Sequence, residues 1–481
     1  MPPFWRRGSR SLKEDKGKME DKEKGLSKRI AQFIVESKPS DIPPYIYEHA
    51  KVAFLDWFAV LLAGKDEPLV LKLIHYTDLM GGNPQATILG HGLKRNVDHA
   101  ALINGTMSHA LDYDDSMSNF LGHPSVTLFP ALVALSEWKQ MSGKDFLTAY
   151  IIGLKVGATI GACAGYEHYM AGWHGTSTIG RMASAAGCAK LLGLDEQKTV
   201  YALGIAGTQA AGLKRVFGTM CKPYHAGKAS QVGLESVLLA SDDFTSAENI
   251  LEGADGFFHI LKGQENEEAI ASLGKTWETN NLAQKYHASC HGTHSAIEAV
   301  LGIVKREGLT IDDIKSITVY TSQMAVNIAA KMEPKTGLEG KFSIYYCVAN
   351  ALLRGYTGMQ AFTDEKVNDP EIKDFMKKIS VVVDSDILGL PARVQVETVS
   401  NEVFEESSDV LNEIPEFEIK KEKVQGKFMD LCVPILSEKK SKQLMETFLS
   451  FDKMDNMRDV IEEIHGSTTT KVGRGVGSKT A

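Results

Sequence analysis

Residues 146–165 read FLTAYIIGLKVGATIGACAG, an apolar run of the length that crosses a bilayer. Two features turn it away from that reading. Lys155 stands near its middle, and Gly153, Gly157, Gly161 and Gly165 recur at every fourth position, a spacing that lets a second helix approach closely. No second span lies nearby, so the run is expected to be a helix buried in a soluble core, with a membrane span as the lesser alternative. The fold class follows from that choice.

Outward from this helix, residues 27–270 carry helical patterning almost throughout. The stretch 45–63 is apolar on most faces and stops at Gly64, as a buried helix with a glycine at its C-terminus does. Residues 97–111, 126–139, 176–192 and 231–240 continue the pattern, dense in Ala, Gly and Ser. After the polar run 263–268 the texture changes. IKSITVYT (314–321), KISVVVD (378–384) and ARVQVETV (392–399) are rich in β-branched residues, with helical stretches at 293–306 and 344–353. Beyond Pro415 the pattern is helical again to about His465. The expected fold is mainly α: a large all-α helical domain (27–272 and 406–465) interrupted by a smaller α+β lid domain (273–405). Residues 1–26 and 466–481 read as disordered tails, and Met19 opens a normal-looking start that makes the first eighteen residues a dispensable extension.

With 43% hydrophobic and 24% charged residues among 481, the chain has ample material for a packed core, which excludes collagen-like, coiled-coil and disordered classes. Its net charge of -8 is uneven. Residues 1–30 hold ten Lys/Arg against five Asp/Glu, which leaves -13 for the remainder. Such a chain is a poor partner for nucleic acid, and positive groups that meet an anionic ligand must be few and placed. The six cysteines are scattered without a CxxC pair, as reduced thiols of a cytoplasmic protein are. No membrane partner is expected.

GxxxxGK[ST], HExxH, GxSxG and a strand-flanked GxGxxG are all absent. Four polar clusters remain. In the first, HALDYDDS (109–116) leads to GHPS (122–125); on a helix Asp112, Asp115 and Ser116 would share a face, at the mouth of a core where burial shifts pKa values. The second is GWHGTS (172–177), where Thr176 or Ser177 caps the next helix or, with His174, receives a carboxylate. The third is CKPYHAGK (221–228), either a solvated loop or an anion clamp built on Lys222. The fourth is KYHASCHGTH (285–294). Its histidines and Cys290 invite a metal, but the spacing fits no standard zinc motif, and such clusters also serve as general acids and bases. No metal or cofactor is expected.

Taken in order, HALDYDDS with GHPS, GWHGTSTIG followed by SAAGCAKLLGL, KPYHAGKAS and KYHASCHGTHSAIEA resemble the MmgE/PrpD family, over about residues 26–464. That family includes 2-methylcitrate dehydratase, cis-aconitate decarboxylase and iminodisuccinate epimerase. The resemblance implies a helical domain interrupted by an α+β lid, a homodimer, and no obligatory cofactor. It also implies Asp112, His123, His174 and Lys222 as active-site residues, with Ser116 where the decarboxylases often have Thr. Their lid-domain histidine corresponds to Cys290 or His291, of which His291 is taken here. The tyrosine they place near Gln323 and Met324 finds no match in this sequence.

The function expected is that of a lyase on a small di- or tricarboxylic acid, with dehydration of a 2-methylcitrate-like hydroxy acid ahead. Cis-aconitate decarboxylation and epimerisation of a diacid are the alternatives within the family. A non-catalytic helical scaffold and a metal-dependent hydrolase are the alternatives outside it. In the expected roles, Lys222 and His174 bind substrate carboxylates and Ser116 donates a hydrogen bond. Asp112 orients His123, and His123 or His291 transfers protons.

Overall fold

A computed structural model describes residues 24–468. Most of the two expected tails therefore lies outside the described residues. The longer helices are numbered α1 (Leu26–Glu36), α2 (Pro44–Ala63), α3 (Pro68–Met80), α4 (Val97–Ser108), α5 (Ser125–Lys139), α6 (Gly143–Met170), α7 (Gly175–Leu192), α8 (Glu196–Thr208) and α9 (Cys221–Ser241). After a run of short turns come α10 (His291–Glu307) and α11 (Ile344–Arg354), then α12 (Phe417–Leu436), α13 (Glu438–Leu449) and α14 (Met457–Thr468). A small hairpin, β1 (Ala86–Ile88) with β2 (Leu93–Arg95), interrupts the helical region. The molecule is mainly α with a small α+β part.

The apolar run that opened the sequence forms α6, and the window long and apolar enough to span a membrane is 94% buried inside the protein. Its glycines are there for contact. A Cβ on Gly157 would lie 2.3 Å from the Phe120 ring and 2.8 Å from the Ala183 Cβ on α7. One on Gly153 would meet Leu128 of α5 at 2.7 Å. Gly165 plays another part. At φ 69° and ψ 170° it breaks the helix, and the chain beyond it turns Tyr166 and Tyr169 toward the functional cavity. Lys155, fully buried, reaches Glu278 at 2.8 Å and the hydroxyls of Ser272 and Thr276.

Around α2 the core closes with aromatic rings. Phe54 meets Phe129 of α5 at 5.2 Å, Phe146 of α6 at 5.7 Å and Phe448 of α13 at 5.1 Å between centroids. The C-terminal helices thus belong to the same body as the first nine, and Lys427 of α12 pairs with buried Asp56 of α2 at 2.7 Å.

The remaining strands are β3 (Ile314–Thr321), β4 (Ile379–Val383), β5 (Ala392–Thr398) and β6 (Val403–Ser408), in the order β4-β3-β5-β6. Strand β3 runs parallel to β4 and antiparallel to β5, which pairs antiparallel with β6. Ala392, Val394, Val396 and Thr398 of β5 turn inward, the period-two pattern of a half-buried strand. Strand β6, VFEESS, carries the adjacent charges Glu405 and Glu406 and lies at the sheet edge, which is why composition alone left it unread. It runs past residue 405, so the sheet continues to Ser408. At the other end, Ala283 pairs with Ser116, and the Leu282 carbonyl accepts from Lys420 of α12, so the chain around 282 packs with the helical body.

Candidate active site

A cavity of about 550 Å³ opens between the helical body and the α+β part. All six residues singled out from the sequence, Asp112, Ser116, His123, His174, Lys222 and His291, line it. Lys285 and Cys290 join them.

The first cluster does not form the expected helix. Helix α4 ends at Ser108, and Asp112 takes a left-handed backbone (φ 52°) that no α-helix contains. The loop that results separates the acids. Asp112 faces the cavity, whereas Asp115 turns into the core, where Ser125 donates to it through both N–H and hydroxyl. Burial there raises the Asp115 carboxyl to about 7. Ser116 exchanges backbone hydrogen bonds of 2.9 and 3.0 Å with Ala283, which brings the fourth cluster alongside the first.

Asp112 is the hub. Its Oδ1 lies 2.8 Å from Lys222 Nζ and 2.9 Å from Lys285 Nζ, and Lys285 also donates to the Asp112 carbonyl at 2.5 Å. Burial works against the charge, yet Lys222 and Lys285 outweigh it and hold the carboxyl well below the usual range. Lys285 is almost wholly buried, and its own ionisation is raised because Asp112 and Asp114 overcome the cost of burial. Sequence reading quoted this lysine and gave it no role. The signal was its place at the head of a histidine-rich run in an acidic chain.

His123 lies beside that hub. Its Nδ1 is 2.9 Å from the Asp115 carbonyl and 3.0 Å from Asp114 Oδ2, both acceptors, so Nδ1 carries the proton and Nε2 is left free toward the cavity. Nε2 lies 3.8 Å from Asp112 Oδ1. The other oxygen of Asp114 takes His109 Nδ1 at 2.8 Å. Burial lowers His109 to about 4, while Asp114, despite its own burial, is held well below its ordinary value by the two imidazoles.

His174 caps α7 by position, and its Nδ1 meets His225 Nδ1 at 3.0 Å. Burial and Lys222 push it well down, so the ring is neutral. Thr176, read as a possible cap, sits inside α7, where its hydroxyl accepts from the His123 backbone N–H at 3.0 Å. Lys222 does not sit in a loop. Helix α9 begins at Cys221, ten residues before the expected start, because Pro223 falls in the first turn, where a proline costs no hydrogen bond.

The fourth cluster keeps its imidazoles together, His294 lying 4.9 Å from His287 and 4.7 Å from His291 between ring centroids, but gives each a different hydrogen-bond partner. His287 contacts Thr357 and Glu298, His294 contacts the Ser289 carbonyl, and His291 Nδ1 contacts Ser116 Oγ at 3.1 Å. Buried His291 Nε2 has no hydrogen-bond partner among the described residues, and burial together with Lys285 keeps this ring neutral. A metal would find a closer set elsewhere, since His109, Asp112, Asp114 and His123 bring ligand atoms within 4.8 Å of one another. That set does not fit a dication well. Asp114 already serves two imidazoles, and two ammonium groups crowd Asp112. The Tyr166 hydroxyl lies 3.5 Å from the Met324 sulfur at the cavity wall.

The arrangement offers two cations about one carboxylate, three imidazoles and a hydroxyl, facing an open cleft. Comparison with known proteins points the same way. The MmgE/PrpD N-terminal domain model matches residues 28–269, and the C-terminal domain model matches residues 287–453. A cis-aconitate decarboxylase-like protein of Aspergillus oryzae is 27% identical over 92% of this chain and 98% of its own. The cis-aconitate decarboxylase of Aspergillus terreus is 28% identical over 91% and 95%. The mitochondrial 2-methylcitrate dehydratase of Yarrowia lipolytica is 26% identical over 72% of each chain. With both domain models matched in order along most of its length, the chain belongs to the MmgE/PrpD family.

Proposed function

We propose that the protein is a lyase acting on a small polycarboxylic acid, with loss of carbon dioxide as its leading reaction and loss of water as the second. The observation that carries this reading is Asp112 held between Lys222 and Lys285 beside the free Nε2 of His123. Both reactions build negative charge on a carbon next to a carboxylate. Lys222 and Lys285, gathered at Asp112, are the cations a substrate carboxylate would meet there, and such groups stabilise the charge as it forms.

In decarboxylation, the C–C bond to the departing carboxylate breaks, and its electron pair spreads over the adjacent double bond and the retained carboxylate. A proton then closes the carbon. His123 is suited to take that proton from solvent at Nε2 and pass it to the carbon, because Asp114 and the Asp115 carbonyl fix its Nδ1–H and the Asp112 and Asp114 carboxylates flank the ring. In dehydration the same Nε2 removes a proton beside the carboxylate, and a group on the opposite side, Ser116 or His291, assists the leaving hydroxide. Decarboxylation leads because the Aspergillus relatives named for it are 27–28% identical over 91–92% of this chain, against 26% over 72% and 24% over 86% for the two relatives named as dehydratases.

Incubating the purified protein with cis-aconitate, citrate and 2-methylcitrate separates the two. Stoichiometric carbon dioxide supports the leading reading, and a new double bond without carbon dioxide supports the second. Turnover of none of these acids, or of related diacids, defeats both.

A further inference from the structure

The cavity is charged around Asp112, and its α+β side adds a wall rich in hydrocarbon. The helical body supplies Asp112, Lys222, His123 and His174 together with apolar Met117 and Phe217, and His291 comes from α10, which packs on the sheet. The α+β part faces them with Met324, Ile328, Phe342, Leu388 and Leu390. Leu388 is 82% exposed and Ile328 is 41% exposed, so this wall presents hydrocarbon that the protein's own folding leaves uncovered. Such exposure at the edge of a concave site marks a surface meant for an apolar ligand group.

A compact acid with carboxylates on every branch does not use that wall. A carboxylate laid against it gains no hydrogen-bond partner from these side chains. Among the described residues the lining holds two lysines, Lys222 and Lys285, which serve one end of an acid and not a carboxylate on every branch, and Asp409 adds negative charge. The volume, about 550 Å³, lies within the range of about 300–1,000 Å³ that encloses drug-sized ligands. A six-carbon acid leaves much of it empty.

Resting on the lyase reading above, we propose that the preferred substrate is an acid whose carboxylates gather at Lys222 and Lys285 and which carries an alkyl substituent of several carbons on the Ile328–Leu388 wall. Polar recognition fixes the reacting end, and the hydrocarbon chain supplies binding energy that the charged end lacks.

The test is a chain-length series: cis-aconitate and citrate, each unsubstituted and with methyl, butyl and hexyl substituents. Each methylene buried on the wall raises kcat/KM about three- to four-fold until the wall is covered. In the Ile328→Asn, Leu388→Asn double variant, the ratio of hexyl to unsubstituted kcat/KM falls at least tenfold. Both positions are surface-accessible, and the ratio reads selectivity independently of total active protein. Turnover that falls with chain length, or a ratio the double variant leaves unchanged, overturns this proposal alone. Turnover of no acid in the series overturns the lyase reading with it.

Discussion

Replacing Asp115 with asparagine should stabilise the protein, by an amount that grows as pH rises toward neutrality. The folded carboxyl holds its proton up to about 7, against 3.8 for the ordinary group, chiefly because it is buried. Below about 3.8 both folded and unfolded chains carry the proton, and the group costs nothing. Between about 4 and 7 the folded state binds more protons than the unfolded state, so stability falls as pH rises, and above 7 the full cost is present. At 1.36 kcal/mol per pH unit the difference amounts to about 4 kcal/mol. Asparagine imitates the protonated acid. Its oxygen accepts from the Ser125 N–H, its amide donates to the Ser125 hydroxyl, and that hydroxyl stays bonded to Tyr150, 2.8 Å away. Thermal unfolding of both proteins between pH 4 and pH 8 reads the effect as a gap in melting temperature that widens by several degrees and levels off above 7. A gap that does not change with pH, or a variant less stable at pH 8 than the parent, would refute the reasoning.

Three further outcomes follow from the geometry. Lys285→Met removes one of the two cations on Asp112 and should lower kcat/KM by about 100- to 1,000-fold in steady-state assays, with a normal circular dichroism spectrum. Lys155→Met leaves the Glu278 carboxylate, 13% exposed, without its cation, and should cost about 3–5 kcal/mol, read as a lower unfolding midpoint. Gly157→Leu drives a side chain into Phe120 and Ala183, and should cost at least about 1–3 kcal/mol, whereas Gly193→Asn on open surface should cost far less.

The helical body was legible because its signals are local. The glycine spacing in 146–165, the stop at Gly64 and the β-branched runs at 314 and 392 each report a neighbourhood of a few residues. The candidate site was legible as residue types and only partly as geometry. Asp112 and Lys285 stand 173 positions apart, and nothing in either segment announces their contact. It depends on Ser116 pairing with Ala283 and on two buried lysines of α12: Lys427 holds the Tyr113 carbonyl at 2.6 Å and Lys420 the Leu282 carbonyl at 3.0 Å. The left-handed turn at Asp112 was hidden for another reason. Its sequence is compatible with a continuing helix, and tertiary contacts with two lysines override that preference. The early start of α9 was masked by Pro223, which reads as a breaker unless its place in the first turn is known.

The most direct test of the account follows the proton. Turnover of cis-aconitate in deuterated water, monitored by NMR with the parent protein and with His123→Asn, measures both chemistry and the residue assigned to it. The account predicts carbon dioxide release with one deuterium placed on the product by the parent, and at least a 100-fold slower reaction in a normally folded variant. Full activity in His123→Asn would contradict it.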